Sequence, residues 1–173
     1  MKNVLAFLLL WLGLIVHSTL FQIPPLNVVQ PDLVMVLLII IALTRGPRAA
    51  LVLGILIGLV QDMVFGSFLG LYAFTYGVVG YFAATAFAQF LQRNVAITFL
   101  VTIVFTFLQN WVTYGIASLF GLTSLPWATV LADSLAQMIV NGIALLLLYS
   151  PVGKLLFEAH RGRYREDGSD AST

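Results

Sequence analysis

The chain has 173 residues, of which 61% are apolar and only 9% charged, with a net charge of +1 and no cysteine. Ordinary globular domains carry roughly 25% charged residues, whereas a mean hydropathy of +1.03 belongs to a chain whose solvent is lipid. Disulfide frameworks, thiolate metal sites and cysteine nucleophiles are excluded, and no general basic field points to nucleic acid.

A bilayer core of about 30 Å takes about 20 apolar helical residues per crossing. In chain order the polar punctuation leaves six apolar segments, at residues 4–21, 31–44, 49–65, 68–90, 95–120 and 127–150. All six prolines fall at or beside the boundaries, where a missing N–H is tolerated. The first segment follows Lys2, but its apolar run is long for a secretory signal and no A-x-A-like site comes after it, so it reads as an uncleaved helix. The second segment is the weak one: 14 residues rise only ~21 Å, unless it gains length by starting near Leu26 with a kink at Pro31. The sequence therefore predicts an all-α integral membrane protein, a compact bundle of six transmembrane helices over residues 1–153. A short cytoplasmic tail follows over 154–173, basic at first and then disordered.

Charge placement supports the count. With the N-terminus inside, Lys2, Arg45, Arg48, Arg93, Lys154, Arg161, Arg163 and Arg165 all fall on the cytoplasmic side, and the outer loops carry no Lys or Arg. The predicted topology is multi-pass, with both termini cytoplasmic. These cations set the topology, and the same residues are candidates for contact with anionic headgroups.

Polar residues inside lipid are costly and therefore informative. Measured at 1.5 Å per residue from each cytoplasmic end, His17, Asp62, Gln109 and Asn110 sit ~20 Å up. Asp133 lies ~9 Å below the outer end of the sixth segment, and Asp32 opens the second at the same side, so the polar atoms form one layer in the outer third of the membrane. Helical spacing places them on faces. Gly54, Gly58 and Asp62 recur every four residues, as do Thr98, Thr102, Thr106 and Asn110, and then Asp133, Gln137 and Asn141. Three stripes of this kind should face one another and not lipid. With Gln61 they make a candidate cluster of His17, Asp32, Gln61, Asp62, Gln109, Asn110, Asp133 and Gln137. Two readings fit it: interhelical hydrogen bonding, or an outward-facing cavity for water, an ion or a ligand. Small residues at Gly54, Gly58, Ala73, Gly77, Gly80 and Ala84 are candidates for close helix packing, and those of the fourth segment also for docking a partner. The stretch from Gln61 to Leu71 has a faint echo from Gln109 to Leu122, which would set Asp62 and Asn110 in equivalent places if the two hairpins were a repeat.

No HExxH, Walker A or G-x-S-x-G motif occurs, so the chain reads as a non-enzyme with no cofactor. The run Pro31-Asp32-Leu33, then Arg45-Gly46, then Gly54-xxx-Gly58-xxx-Asp62, then Leu69-Gly70 resembles the rod shape-determining protein MreD family. The likeness is strongest over residues 31–71, and Pro47 directly after the Arg-Gly pair is a small departure. The resemblance implies a scaffold subunit of the bacterial cell-elongation (rod) complex that helps organise peptidoglycan synthesis. It would bind a bitopic MreC-like partner beside the MreB filament, a shape-class polymerase and a penicillin-binding transpeptidase, among membrane lipids, and could self-associate. It also implies a fold similar to the substrate-capture subunits of energy-coupling-factor transporters. The alternative function is accordingly a transport or capture component that binds a small solute or lipid headgroup in the outer polar cavity.

The six-crossing topology has a direct test in this cysteine-free chain. Single cysteines at Asn27, Ser67 and Ser124 should react with an impermeant thiol reagent in intact cells, and one at Ser169 only after lysis. Reaction at Ser169 in intact cells would overturn it.

Overall fold

The computed structural model describes residues 2–20, 30–66, 68–87 and 95–161, giving for Lys2, Asn3, Leu20 and residues 153–161 the backbone alone. Among the described residues there are six helices and no strand: α1 (Lys2–Leu20), α2 (Leu33–Arg45), α3 (Pro47–Phe65), α4 (Leu71–Phe87), α5 (Val95–Leu119) and α6 (Trp127–Arg161). By length and composition α3, α5 and the Trp127–Val152 part of α6 can each cross a membrane, while α1, α2 and α4 are shorter apolar helices. The largest difference from the sequence expectation is at the end. Helix α6 continues through Pro151 to Arg161, so the first part of the expected tail is helical, and the rest of that tail lies outside the described residues.

Helix α2 is the centre of the bundle, with α1, α3, α4, α5 and α6 all packed against it. Every residue from Val34 to Ala42 is buried, which is where a helix apolar on all sides must go. Its 13 residues rise only ~20 Å, so the helix stops well short of a bilayer's thickness. A short central helix is tolerated because its neighbours, and not lipid, surround its ends. Its C-terminus turns into α3 through Gly46 alone, at φ +86°, a left-handed conformation that glycine adopts without strain. Pro47 then takes the first position of α3, where a helix needs no N–H.

Helices α3 and α4 share the most extensive interface in the molecule, and glycine is the reason. A Cβ on Gly58 would lie 2.5 Å from the backbone of Ala73, and one on Gly54 would lie 2.7 Å from the carbonyl oxygen of Tyr76. The two backbones touch directly, as small residues permit in lipid. The turn between them is secured by Asp62, whose carboxylate accepts N–H bonds from Gly70 (2.9 Å), Tyr72 (2.9 Å) and Ala73 (3.0 Å). Those are donors that the first turn of α4 leaves without helical partners. The small residues of α4 serve the same internal packing. Ala73, Gly77, Gly80 and Ala84 are all buried, Gly77 against Ile55 and Gly80 against Ala50 and Leu38. Buried inside the bundle, they are closed to an outside partner.

The contact between α3 and α4 makes a sharp prediction. Gly58→Leu should lower the unfolding temperature of the purified protein by several degrees, because overpacking a tight interface costs about 1–3 kcal/mol or more. Gly115→Ala is the control, since a Cβ there meets nothing within 4 Å, and it should leave the unfolding temperature unchanged or raised. Equal behaviour of the two variants would contradict the close approach.

Candidate functional site: a buried polar hub at the start of the central helix

The polar end of the bundle is where α1, α3 and α5 finish and α2, α4 and α6 begin. Its centre is Asp32, the N-cap of α2, only 8% exposed. One carboxylate oxygen, Oδ1, accepts the N–H of Met35 at 2.9 Å, closing the first turn of the helix. The other, Oδ2, accepts the Tyr76 hydroxyl from α4 at 2.8 Å and the Gln109 amide from α5 at 3.1 Å. The Asp32 backbone N–H donates to Asn141 Oδ1 of α6 at 2.7 Å, and the Asn141 amide donates on to Thr106 of α5 at 3.1 Å. Gln61 Oε1 of α3 lies 3.2 Å from the Tyr76 hydroxyl, whose single proton it shares with Asp32. One cap thereby draws hydrogen bonds from α4, α5 and α6 and, through Tyr76, reaches α3.

Around this hub lies a second ring of contacts. His17 of α1 donates from Nδ1 to the Pro31 carbonyl at 2.9 Å, tying α1 to the entry of α2. Asn110 of α5 donates to Gln137 of α6 at 2.6 Å, and Gln137 donates to the Gln30 carbonyl at 3.4 Å. Of the residues singled out from sequence, Asp32, Gln61 and Gln109 meet in the hub, and His17, Asn110 and Gln137 hold its edge.

Two of the acids stand elsewhere. Asp62 is buried but engaged with the first turn of α4, so it does not bond to Asn110 or Asp133. Asp133 is exposed, and its neighbour Ser134 is the buried residue on that turn, with its hydroxyl donating to the Val130 carbonyl at 2.6 Å. The predicted α6 stripe is therefore rotated: Asn141 lies at the hub, Gln137 at its edge and Asp133 off it. The expected equivalence of Asp62 and Asn110 is not seen in their bonding, since Asn110 pairs with a side chain of α6 and Asp62 caps a helix.

Tyr76 was not among the sequence candidates, although it is the largest fully buried side chain among the described residues. Its signal was indirect: of the three tyrosines of α4, Tyr72, Tyr76 and Tyr81, it is the one next to Gly77. A buried phenol needs a partner for its O–H, and that need could have directed attention to the nearest acid. Within the polar end, Gln109 Oε1 and Trp111 Nε1 are buried and without a hydrogen-bond partner. Chemically, the hub is a carboxylate held by donors that satisfy it, arranged to fix helices in place.

Comparison with known proteins identifies the family. Residues 1–158 match the family described as rod shape-determining protein MreD, a range that spans α1 to α5 and nearly all of α6. The rod shape-determining protein MreD of Bacillus subtilis (strain 168) is 25% identical over 141 residues, covering 82% of this chain and 81% of that protein. No solved structure matches the chain. The match runs through the hub, the capped α3–α4 turn and the central helix alike, and the chain belongs to the rod shape-determining protein MreD family.

Proposed function

We propose that the protein is a membrane-embedded, non-enzymatic scaffold in rod-shape determination. The observation that carries this reading is the family match over residues 1–158. The hub adds a physical argument: its carboxylate is engaged by hydrogen bonds that join the helices, which suits a part that must hold a fixed shape for others to dock on. In this reading the chain crosses the bacterial inner membrane six times with both termini in the cytoplasm. It binds a bitopic MreC-like protein and, with the other cell-elongation proteins, helps organise peptidoglycan synthesis.

A single transmembrane helix would dock through lipid-facing surfaces, since the small residues of α4 are covered. Helix α1 is the natural candidate. It packs on α2 and α3, and on its other side Leu8, Trp11, Leu12 and Ile15 are exposed as one apolar face.

The capture reading keeps one observation in its favour, the buried, unpartnered Gln109 Oε1 beside Asp32. Variants of Asp32 separate the two. Asp32→Leu removes the acceptor for Met35, Tyr76 and Gln109, and each stranded buried donor costs about 1–3 kcal/mol. Its amount in the membrane should fall severalfold, with rounded cells and loss of the MreC-like partner from pull-downs. Asp32→Asn keeps the side-chain size and the acceptor for Met35. Its amide can donate to Tyr76, whose proton turns to Gln61, and to the open Oε1 of a flipped Gln109. On the scaffold reading it should therefore accumulate and support rod growth. An Asn variant that accumulates and retains the partner yet gives round cells would favour a charge-dependent ligand site. Normal rods in cells depleted of the whole protein would sink the scaffold reading.

A further inference from the structure

At the opposite end of α2 from Asp32, its last residue, Arg45, has two guanidinium nitrogens, Nε and Nη2, that are buried and without a hydrogen-bond partner. These two N–H groups point to the same side and form the edge that grips two oxygens of one carboxylate or phosphate at once. An unpaired guanidinium edge shielded from water is costly, and a ligand that pairs both N–H groups removes that cost. No carboxylate among the described side chains answers the need. Among the described side chains the acids are Asp32, Asp62 and Asp133, and all three belong to the polar end, a helix length away.

The position of Arg45 indicates what does. It sits at the junction of α2 and α3, with Gly46 and Pro47 between it and Arg48, which is exposed. This junction lies level with the start of α3, one of the helices long enough to cross a membrane, and so at the depth of lipid headgroups. The Arg45 side chain as a whole is partly exposed, so rotation about its long stem brings the edge to the surface. Arg48 beside it adds a second positive charge to hold an anion.

We propose that Arg45 is a phosphate-binding residue that grips the headgroup phosphate of an anionic phospholipid through its Nε–Nη2 edge, with Arg48 as an auxiliary charge. The leaflet it occupies rests on the topology proposed above, whereas the binding chemistry does not.

The test is native mass spectrometry and thermal unfolding of the full-length protein. The protein is first extracted into mild detergent with phosphatidylglycerol or phosphatidylcholine, then titrated with inorganic phosphate alone. Phosphatidylglycerol should be retained and should raise the unfolding temperature, with phosphatidylcholine much weaker. Arg45→Gln should weaken retention roughly tenfold, the loss expected for one charged hydrogen-bonding group. Arg45→Lys, which keeps the charge but not the two-pronged edge, should fall between, and Arg48→Gln should have the smaller effect. A shift produced equally by inorganic phosphate would assign the site to the free anion and overturn the lipid. Undiminished retention by Arg45→Gln would overturn the site. A gain in phosphatidylglycerol binding on Glu158→Gln would overturn it too, because it would identify that carboxylate as the occupant of the Arg45 edge. If Arg45→Gln does not accumulate, the comparison of Arg45→Lys with wild type decides, and equal retention by those two rules out the edge.

Discussion

The N-terminus of α2 is the point on which the rest of the structure depends. A helix of 13 residues at the centre of a membrane bundle must begin inside the low-dielectric interior, where the first N–H groups of any helix have no internal partner. Buried among the other helices, they are shut off from water, and each unsatisfied group costs about 1–3 kcal/mol. The protein answers with Asp32. Its carboxylate takes the Met35 N–H, and its own N–H is taken by Asn141. A carboxylate introduced for that purpose brings a second oxygen that needs donors, and Tyr76 and Gln109 supply them. The polar hub thus follows from the shortness of α2, as one requirement generating the next.

The same logic, on a smaller scale, shapes the α3–α4 hairpin. Backbone contact through Gly54 and Gly58 leaves no room for side chains between the helices, so the start of α4 is set directly over the end of α3. Asp62 then lies beside three free N–H groups and accepts them all. Each buried carboxylate, Asp32 and Asp62, therefore begins a helix. Neither has a lysine or arginine as its hydrogen-bonding partner in these contacts, and backbone dipoles at helix N-termini supply the favourable field in their place.

Much of this was legible in the residues. Helix boundaries lie where apolar runs meet proline and charge, and α1, α3 and α5 begin and end within two residues of the apolar segments. Stripes at four-residue spacing identified Asn110, Gln137 and Asn141 as facing other helices, because helical geometry fixes relative direction. What spacing cannot fix is the absolute rotation of a stripe. Asp133 shares a stripe with Asn141, yet it lies two turns away, and α6 has turned it outward by then, bringing Ser134 in. Asp62 shares the four-residue spacing of Gly54 and Gly58, but its partners are backbone groups, which no side-chain pattern announces. Tyr76 escaped for a related reason: its importance lies in one O–H that meets an acid 44 residues away in sequence, a long-range pairing that α4 alone does not encode.

The weakness of the second segment as a transmembrane candidate was itself the most informative feature of the sequence. Short and almost uniformly apolar, it fits neither a lipid-facing span nor an amphipathic surface helix. The remaining place for such a segment is the middle of a bundle, with polar residues from the surrounding helices gathered at its ends. Asp32 and Arg45 bracket it at either end. At the Asp32 end the neighbouring helices supply the partners, and the end is closed. At the Arg45 end two donors of the guanidinium have none. A central helix anchored by internal bonds at one end and carrying unpaired donors at the other is asymmetric. That asymmetry suits a subunit that must keep its core rigid while meeting its surroundings at one membrane face.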